Sequence, residues 1–253
     1  MKTMLKNQII QGDCLEVMPD IPDGSIDAVI CDPPYGTTAC SWDSVIPFEP
    51  MWEQLNRVIK KNGAIVLFGS EPFSSALRMS NIKNYKYDWV WDKVFKTGHL
   101  NARKKPMMRH EIIMVFCKQT LGNFTYNPQT TKGKLRDKSP PRNTDMVSGG
   151  VYGLVRNQKS NINNNMYPSS ICVFSTAQQK GKVHPTQKPV SLIKYLIKTY
   201  TNKHETVLDF AAGSCTTAAA CINTHRNYIC IEKEQKYVDI GNKRILTAEP
   251  SLF

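Results

Sequence analysis

The stretch Ile26-Asp27-Ala28-Val29-Ile30-Cys31-Asp32-Pro33-Pro34-Tyr35 decides how this chain is read. Its first six residues form a nearly continuous apolar run. A strand with one wet face would alternate, so the run predicts a strand buried on both faces, as in a parallel sheet. Asp32-Pro33-Pro34-Tyr35 then places a carboxylate, a rigid turn and an aromatic ring at the strand's carboxyl end. Such a corner can grip a flat base that carries an exocyclic amine. Asp32 accepts one amino hydrogen, the carbonyl of Pro33 accepts the other, Pro34 holds the turn and Tyr35 offers a stacking face. A plain strand-ending turn has the same four residues by chance, so other segments must point the same way.

Outward from this corner the chain alternates between strand and helix patterns. Residues 7–11 are β-leaning. Residues 49–61 predict an amphipathic helix, with Met51, Leu55 and Val58 at helical spacing and Gly63 as a stop signal. A second buried strand is expected over 64–68, a short helix over 71–80, and strands over 87–95 and 111–117. Pro189 suits the first turn of a helix whose apolar stripe is Ile193, Leu196, Ile197 and Tyr200. Strands over 206–210 and 228–232 flank a helix over 216–222, and a last helix is expected over 234–247. This alternation argues for a mostly parallel sheet with ligands at its carboxyl edge. The stretch 118–183 breaks the pattern. It is rich in Asn, Gln, Lys, Ser and Gly, its main apolar run is 170–174, and it reads either as a linker or as a small lobe anchored by Tyr126, Tyr152 and Tyr167.

The net charge of +12 over 253 residues is unevenly spread. Residues 93–188 hold 17 Lys/Arg and 3 Asp/Glu, or +14, while the remainder holds 16 and 18, or −2. A regional excess of this kind suits a polyanion-binding face, with a merely solvated surface as the alternative. Arg103, Lys104, Lys105 and Arg109 are the candidates for phosphate contact. Arg136, Lys138 and Arg142 are candidates for reading base edges. No run of 18 apolar residues predicts a membrane span, and residues 1–6 lack the apolar core of a signal peptide. The eight cysteines include no Cys-x-x-Cys pair, which predicts reduced thiols, a cytoplasmic protein and no metal site.

A second informative segment is Val207-Leu208-Asp209-Phe210-Ala211-Ala212-Gly213-Ser214-Cys215-Thr216-Thr217. A small-residue turn between strand and helix lets a nucleoside-bearing ligand approach the backbone closely. Glu232 ends the next strand and suits bidentate acceptance from two ribose hydroxyls. Nicotinamide cofactors use the same geometry, but the Gly-x-Gly-x-x-Gly pattern is absent.

Together these residues resemble the DNA amino-methyltransferases that use S-adenosylmethionine, in the permuted β arrangement. Five segments agree in order: 12–16, Asp32-Pro33-Pro34-Tyr35, 91–93 with 109–116, His184-Pro185-Thr186-Gln187-Lys188-Pro189, and 209–217. The resemblance implies an α/β, Rossmann-like class I methyltransferase with a mostly parallel seven-stranded sheet flanked by helices. It divides the chain into a catalytic half (1–117), an inserted target-recognition region (118–183) and a cofactor half (184–253). It implies methyl transfer to a flipped base, adenine N6 being favoured because the motif begins with Asp and not Ser; cytosine N4 is the alternative. Asp32, Pro33, Pro34 and Tyr35 would be catalytic. Asp13, Cys14, Asp32, Thr186, Lys188, Asp209, Ala211, Gly213, Ser214 and Glu232 would surround the cofactor, although Asp13 also reads as a simple turn cap and Lys188 as a solvated lysine. Double-stranded DNA is the implied substrate, a homodimer and a restriction endonuclease the implied partners. One departure stands out: Cys215 occupies the second glycine of the family's turn. It is tolerable if that position only begins the helix and would weaken cofactor binding if a positive φ or a close cofactor contact is needed; a catalytically degenerate, DNA-binding homologue is the alternative.

Overall fold

The structure, a computed structural model, describes residues 6–38, 43–133, 164–176 and 187–248. The chain forms two compact units, one of residues 1–127 and 169–253, the other of residues 128–168.

In the larger unit the elements are β1 (Gln8–Gln11), α1 (Cys14–Val17), β2 (Ile26–Cys31), α2 (Phe48–Val58), β3 (Ile59–Gly69), α3 (Phe73–Ser80), β4 (Tyr85–Thr97) and β5 (Met108–Phe116). The smaller unit contributes β6 (Thr131–Lys132) and β7 (Asn165–Met166). The larger unit resumes with β8 (Ile171–Val173), α4 (Val190–Tyr200), β9 (Thr206–Asp209), α5 (Thr216–Ile222), β10 (Asn227–Glu232) and α6 (Gln235–Leu246).

The main sheet runs β1-β10-β9-β2-β3-β5-β4-β8. Among the described residues of this sheet, the β3–β5 and β5–β4 pairs alone are antiparallel. Alternate residues of each strand enter two separate cores. Ala28, Ile30, Val66, Phe68, Val115 and Cys230 pack under α4 and α5. Val29, Cys31, Ile65, Leu67, Phe116 and Ile231 pack against α1, α2 and α3. Burial on both faces is why the strands read as unbroken apolar runs.

Three boundaries differ from expectation. Among the described residues the sheet has eight strands, because Ile171–Val173 emerges from the expected insert and pairs in parallel with β4 at the edge. Cys172 is buried there, and Trp91 Nε1 donates to the carbonyl of Phe174 at 2.8 Å. The expected helix over 49–61 ends at Val58, since Ile59 is extended and pairs with Ile26. Gly63 lies within β3, where an added Cβ would stand 2.6 Å from the carbonyl of Asp27. The third boundary is that of the insert. The compact second unit covers 128–168, and the described residues on either side of it belong to the sheet unit.

Within the smaller unit, β6 and β7 pair antiparallel, Thr131 opposite Met166. Lys132 Nζ donates to Asn165 Oδ1 at 2.8 Å.

Candidate active site

Strands β2 and β9 lie side by side at the centre of the sheet. From β2 the chain continues through α2 to β3 on one side, and from β9 through α5 to β10 on the other. Their carboxyl ends therefore face a crevice at a topological switch point, the usual ligand position in an open α/β sheet. A cavity of about 470 Å³ opens there, bordered by Asp32, Tyr35, Glu111, Lys188, Gly213 and Glu232 among others.

Asp32 is the first residue beyond β2. Its Oδ1 accepts from the hydroxyl of Tyr35 at 2.5 Å, and its Oδ2 accepts from Lys188 Nζ at 2.6 Å. The same ammonium lies 3.1 Å from Glu111 Oε2, an ion pair, and Lys93 Nζ donates to Glu111 Oε1 at 3.2 Å. Two carboxylates and two ammonium groups thus alternate in a chain that sums to zero charge. Lys188 is only 8% exposed and stands 5.1 Å from the centre of the Phe68 ring and 5.9 Å from that of Trp91. Burial alone lowers a lysine pKa, but Asp32 and Glu111 outweigh it and hold this one above its ordinary value. Burial raises the Asp32 carboxyl against the pull of Lys188, whereas Lys188 and Lys93 overcome burial at Glu111 and lower it. The Tyr35 ring stacks on Phe73 with centroids 5.0 Å apart. Burial and then Asp32 push its hydroxyl well above the usual phenol range, so it remains a donor.

The loop after Tyr35 is gathered by Asp43. Its Oδ1 accepts from the backbone N–H of Tyr35 (2.8 Å) and Gly36 (2.9 Å), and its Oδ2 from Thr37 (2.9 Å) and Thr38 (2.6 Å). Burial pushes this carboxyl up, but bonds from the Thr38 side chain and these backbone groups outweigh it and lower the pKa.

Across the crevice, Asp209 ends β9. Thr217 Oγ1 donates to its Oδ2 at 2.6 Å, the Cys31 thiol also bonds it, and burial pushes its pKa up to about 6. Glu232 ends β10. Its Oε2 accepts from the N–H of Gly213 at 2.6 Å and its Oε1 from that of Glu234 at 2.8 Å. Each oxygen keeps a further lone pair for a ligand hydroxyl. Burial raises its pKa against those two bonds. Arg244 Nη1, from the last turn of α6, donates to the carbonyl of Ser214 at 2.5 Å and to its hydroxyl at 2.9 Å, which fixes the other side of the turn.

A family profile described as DNA methylase, N6_N4_Mtase, matches residues 26–243. The chain belongs to this DNA methylase family. The methylase is 27% identical over 252 residues to the DNA adenine methyltransferase YhdJ of Escherichia coli K12, covering 94% of this chain and 82% of the relative. It is 26% identical over 276 residues to the type II methyltransferase M.HinfI of Haemophilus influenzae, covering 97% and 70%. Its fold is that of the M1.HpyAVI–SAM complex, with a TM-score of 0.62 at 24% identity and coverage of 94% and 98%.

The methylase brings Asp13, Cys14, Asp32, Pro33, Pro34, Tyr35, Lys188, Asp209, Ala211, Gly213, Ser214 and Glu232 to the rim of one cavity. Asp13 also caps α1, accepting from Leu15 N at 3.0 Å, and pairs with Lys233 at 3.2 Å. Thr186, Arg136, Lys138 and Arg142 lie outside the described residues. Arg103, Lys104 and Lys105 are exposed between β4 and β5. Arg109 is committed differently from expectation. It forms a two-pronged pair with Asp92 at 2.8 Å per bond and so braces the β4–β5 hairpin. Cys215 does take a positive φ, +55°, so the expectation that it merely begins the helix is incomplete. Its side chain turns away from the cavity into a buried contact with Gly241. Sequence reading missed Asp43, Glu111, Lys93 and Arg244. For Glu111 and Lys93 a signal existed, since both lie within segments that carry the family resemblance, 91–93 and 109–116; for Asp43 there was none.

Proposed function

We propose that this methylase transfers a methyl group from S-adenosylmethionine to the N6 amino group of adenine in duplex DNA. The observation that carries the reading is one cavity in which Asp32, held by Tyr35 and Lys188, borders the same space as Glu232, whose two oxygens keep lone pairs for a ribose. The cavity's volume lies within the usual small-molecule range of roughly 300–1,000 Å³. Bound there, S-adenosylmethionine supplies an electrophilic methyl group. Glu232 would accept from the ribose hydroxyls, the backbone around Gly213 and Ser214 would line the methionine end, and Asp13 and Cys14 would border the adenine end.

The chain's own residues do the rest by positioning. An exocyclic amine is a weak nucleophile because its lone pair is delocalised into the ring. Asp32 and the carbonyl of Pro33 would accept its two hydrogens, draw the nitrogen toward tetrahedral geometry and aim the lone pair into the cavity. Asp32 Oδ2 would hold the proton that the amine sheds, and burial of that carboxyl favours the protonated form. The charge chain Asp32–Lys188–Glu111–Lys93 would keep the acceptor oriented before the base arrives. None of this needs a covalent intermediate, so the buried free thiols have no role as nucleophiles.

Adenine is supported by the Asp at the head of the motif and by the likeness to an adenine methyltransferase. The unit over 128–168 fits a target-recognition role through its basic excess. The likeness to a type II enzyme supports a restriction endonuclease as partner, and homodimer formation and cytoplasmic location belong to the same reading. Expression in cells free of DNA methylation, followed by mass analysis of digested nucleosides, tests the proposal. N6-methyldeoxyadenosine at a fixed sequence is expected; N4-methyldeoxycytidine, or no modified base, overturns the adenine assignment.

A further inference from the structure

The hairpin between β4 and β5 carries an exposed apolar group that neither the cavity nor the core uses. Every residue from Val94 to Pro106 is exposed. Leu100 is 88% and Phe95 54% exposed, and Val94 beside Phe95 has a φ of +69°, which a β-branched residue adopts only under constraint. The constraint is visible. The register between β4 and β5 jumps between Asp92 and Thr97, and Val94 N donates to Asp92 Oδ1 at 2.8 Å while Arg109 clamps the same carboxylate. The bulge is therefore built, and it re-aims the chain as bulges do. Gly98, at φ +87°, opens the short 3₁₀ turn over His99–Asn101 that presents Leu100.

Two observations say what this arm meets. Its apolar side chains sit among Lys96, Arg103, Lys104 and Lys105, and no acidic residue occurs from 93 to 110, so the complementary surface is a polyanion. Thr97, two residues from Phe95, lines the catalytic cavity. The arm is therefore continuous with the space where an extruded base would enter. An apolar side chain flanked by cations, at the mouth of a base pocket, has the chemistry of a wedge that enters a base stack while its neighbours hold the phosphates.

Building on the DNA reading above, we infer that Leu100 and Phe95 form a wedge that enters the duplex beside the target and fills the gap left by the swung-out base. A wedge stabilises the flipped state of a paired base. It adds little when the target is already unpaired.

The test uses the full chain and two duplex oligonucleotides carrying the site found methylated in cells, one fully paired and one with an abasic position opposite the target. Both variant positions are exposed, so the double variant Phe95→Ser/Leu100→Ser should keep the wild-type Tm and S-adenosylmethionine Kd. Its kcat/KM is expected to fall at least ten-fold on the paired duplex and to stay within two-fold of wild type on the abasic one. Equal losses on both duplexes, or no loss on either, overturn the wedge. Failure of the wild-type enzyme to methylate either duplex overturns the DNA reading itself.

Discussion

The two loops that face each other across the crevice are both held by carboxylates, in different ways. After β2, Asp43 takes four backbone N–H groups onto its two oxygens. After β9, Glu232 takes one N–H from the Gly213 turn and one from Glu234, and Arg244 grips the turn from behind. Asp43 is spent on the backbone and has little capacity left for a ligand. Glu232 is half spent. One loop is fixed so that it can aim a small number of atoms, while the other is held loosely enough on its ligand side to admit a cofactor. Rigid supporting contacts of the first kind are what positioning chemistry requires.

Among the residues that hold these two loops, the largest effect should come from Asp43→Asn. The amide keeps the shape but removes the charge and leaves one oxygen to serve four donors. Three of the four donors, Gly36, Thr37 and Thr38, are exposed and can turn to water, so the lost charge-assisted bonds amount to about 2 kcal/mol. Denaturant unfolding should show a loss of that size, with kcat falling about 100-fold and the cofactor Kd little changed. An intact kcat would mean that the loop does not aim the catalytic corner.

The two loops should also respond to acid with opposite signs. The Asp209 carboxyl sits at about 6 in the folded chain against an ordinary 3.8. Between those values the folded state holds a proton that the unfolded chain has released. Stability from this group therefore falls as pH rises through the window, by about 3 kcal/mol in all, and is level above it. Asp43 is lowered, so its contribution is present above the ordinary carboxylate value and lost as pH falls through its folded value. Comparing Tm of Asp209→Asn with wild type from pH 4 to 7 should show the wild-type decline flattened in the variant.

Glu232→Gln should weaken S-adenosylmethionine binding about ten-fold by calorimetry, with a smaller change in kcat. A larger loss of kcat than of affinity would place Glu232 in the chemistry and erase the contrast with Asp43. The smallest effect concerns Cys215. A left-handed φ at a non-glycine residue costs about 1 kcal/mol. An added Cβ at Gly241 would stand 2.5 Å from Cys215 Sγ. Gly241→Ala should therefore destabilise the chain alone, yet stabilise it by about 0.5–1 kcal/mol in a Cys215→Gly background, as alanine replaces a mid-helix glycine. Additive effects would show that the two residues do not share that space.

Much of this was legible from sequence because each central strand is buried on both faces. The corner at Asp32, the turn at Gly213 and the acid at Glu232 follow from where such strands stop. Strand β8 was hidden because only Cys172 of its three residues faces inward, within a polar stretch. The end of α2 was misjudged because Ile59 is apolar at helical spacing, and its pairing with Ile26 decides the matter. Asp43 could not be read at all, since its donors are backbone groups with one threonine side chain, and backbone groups carry no residue pattern. The link from Lys93 to Glu111 depends on a strand register that sequence does not reveal, and the φ of Cys215 depends on the turn it closes.

The most direct measurement is Asp32→Asn, with kcat on an unmethylated duplex that carries the target site and S-adenosylmethionine Kd determined on the same preparation. Asparagine keeps the volume but turns one of the two acceptors into a donor. Turnover lower by about 1,000-fold, with Kd within three-fold of wild type, is predicted for a carboxylate that acts on the amine alone. Retention of most of the turnover, or a loss of cofactor affinity as large as the loss of rate, would contradict that role.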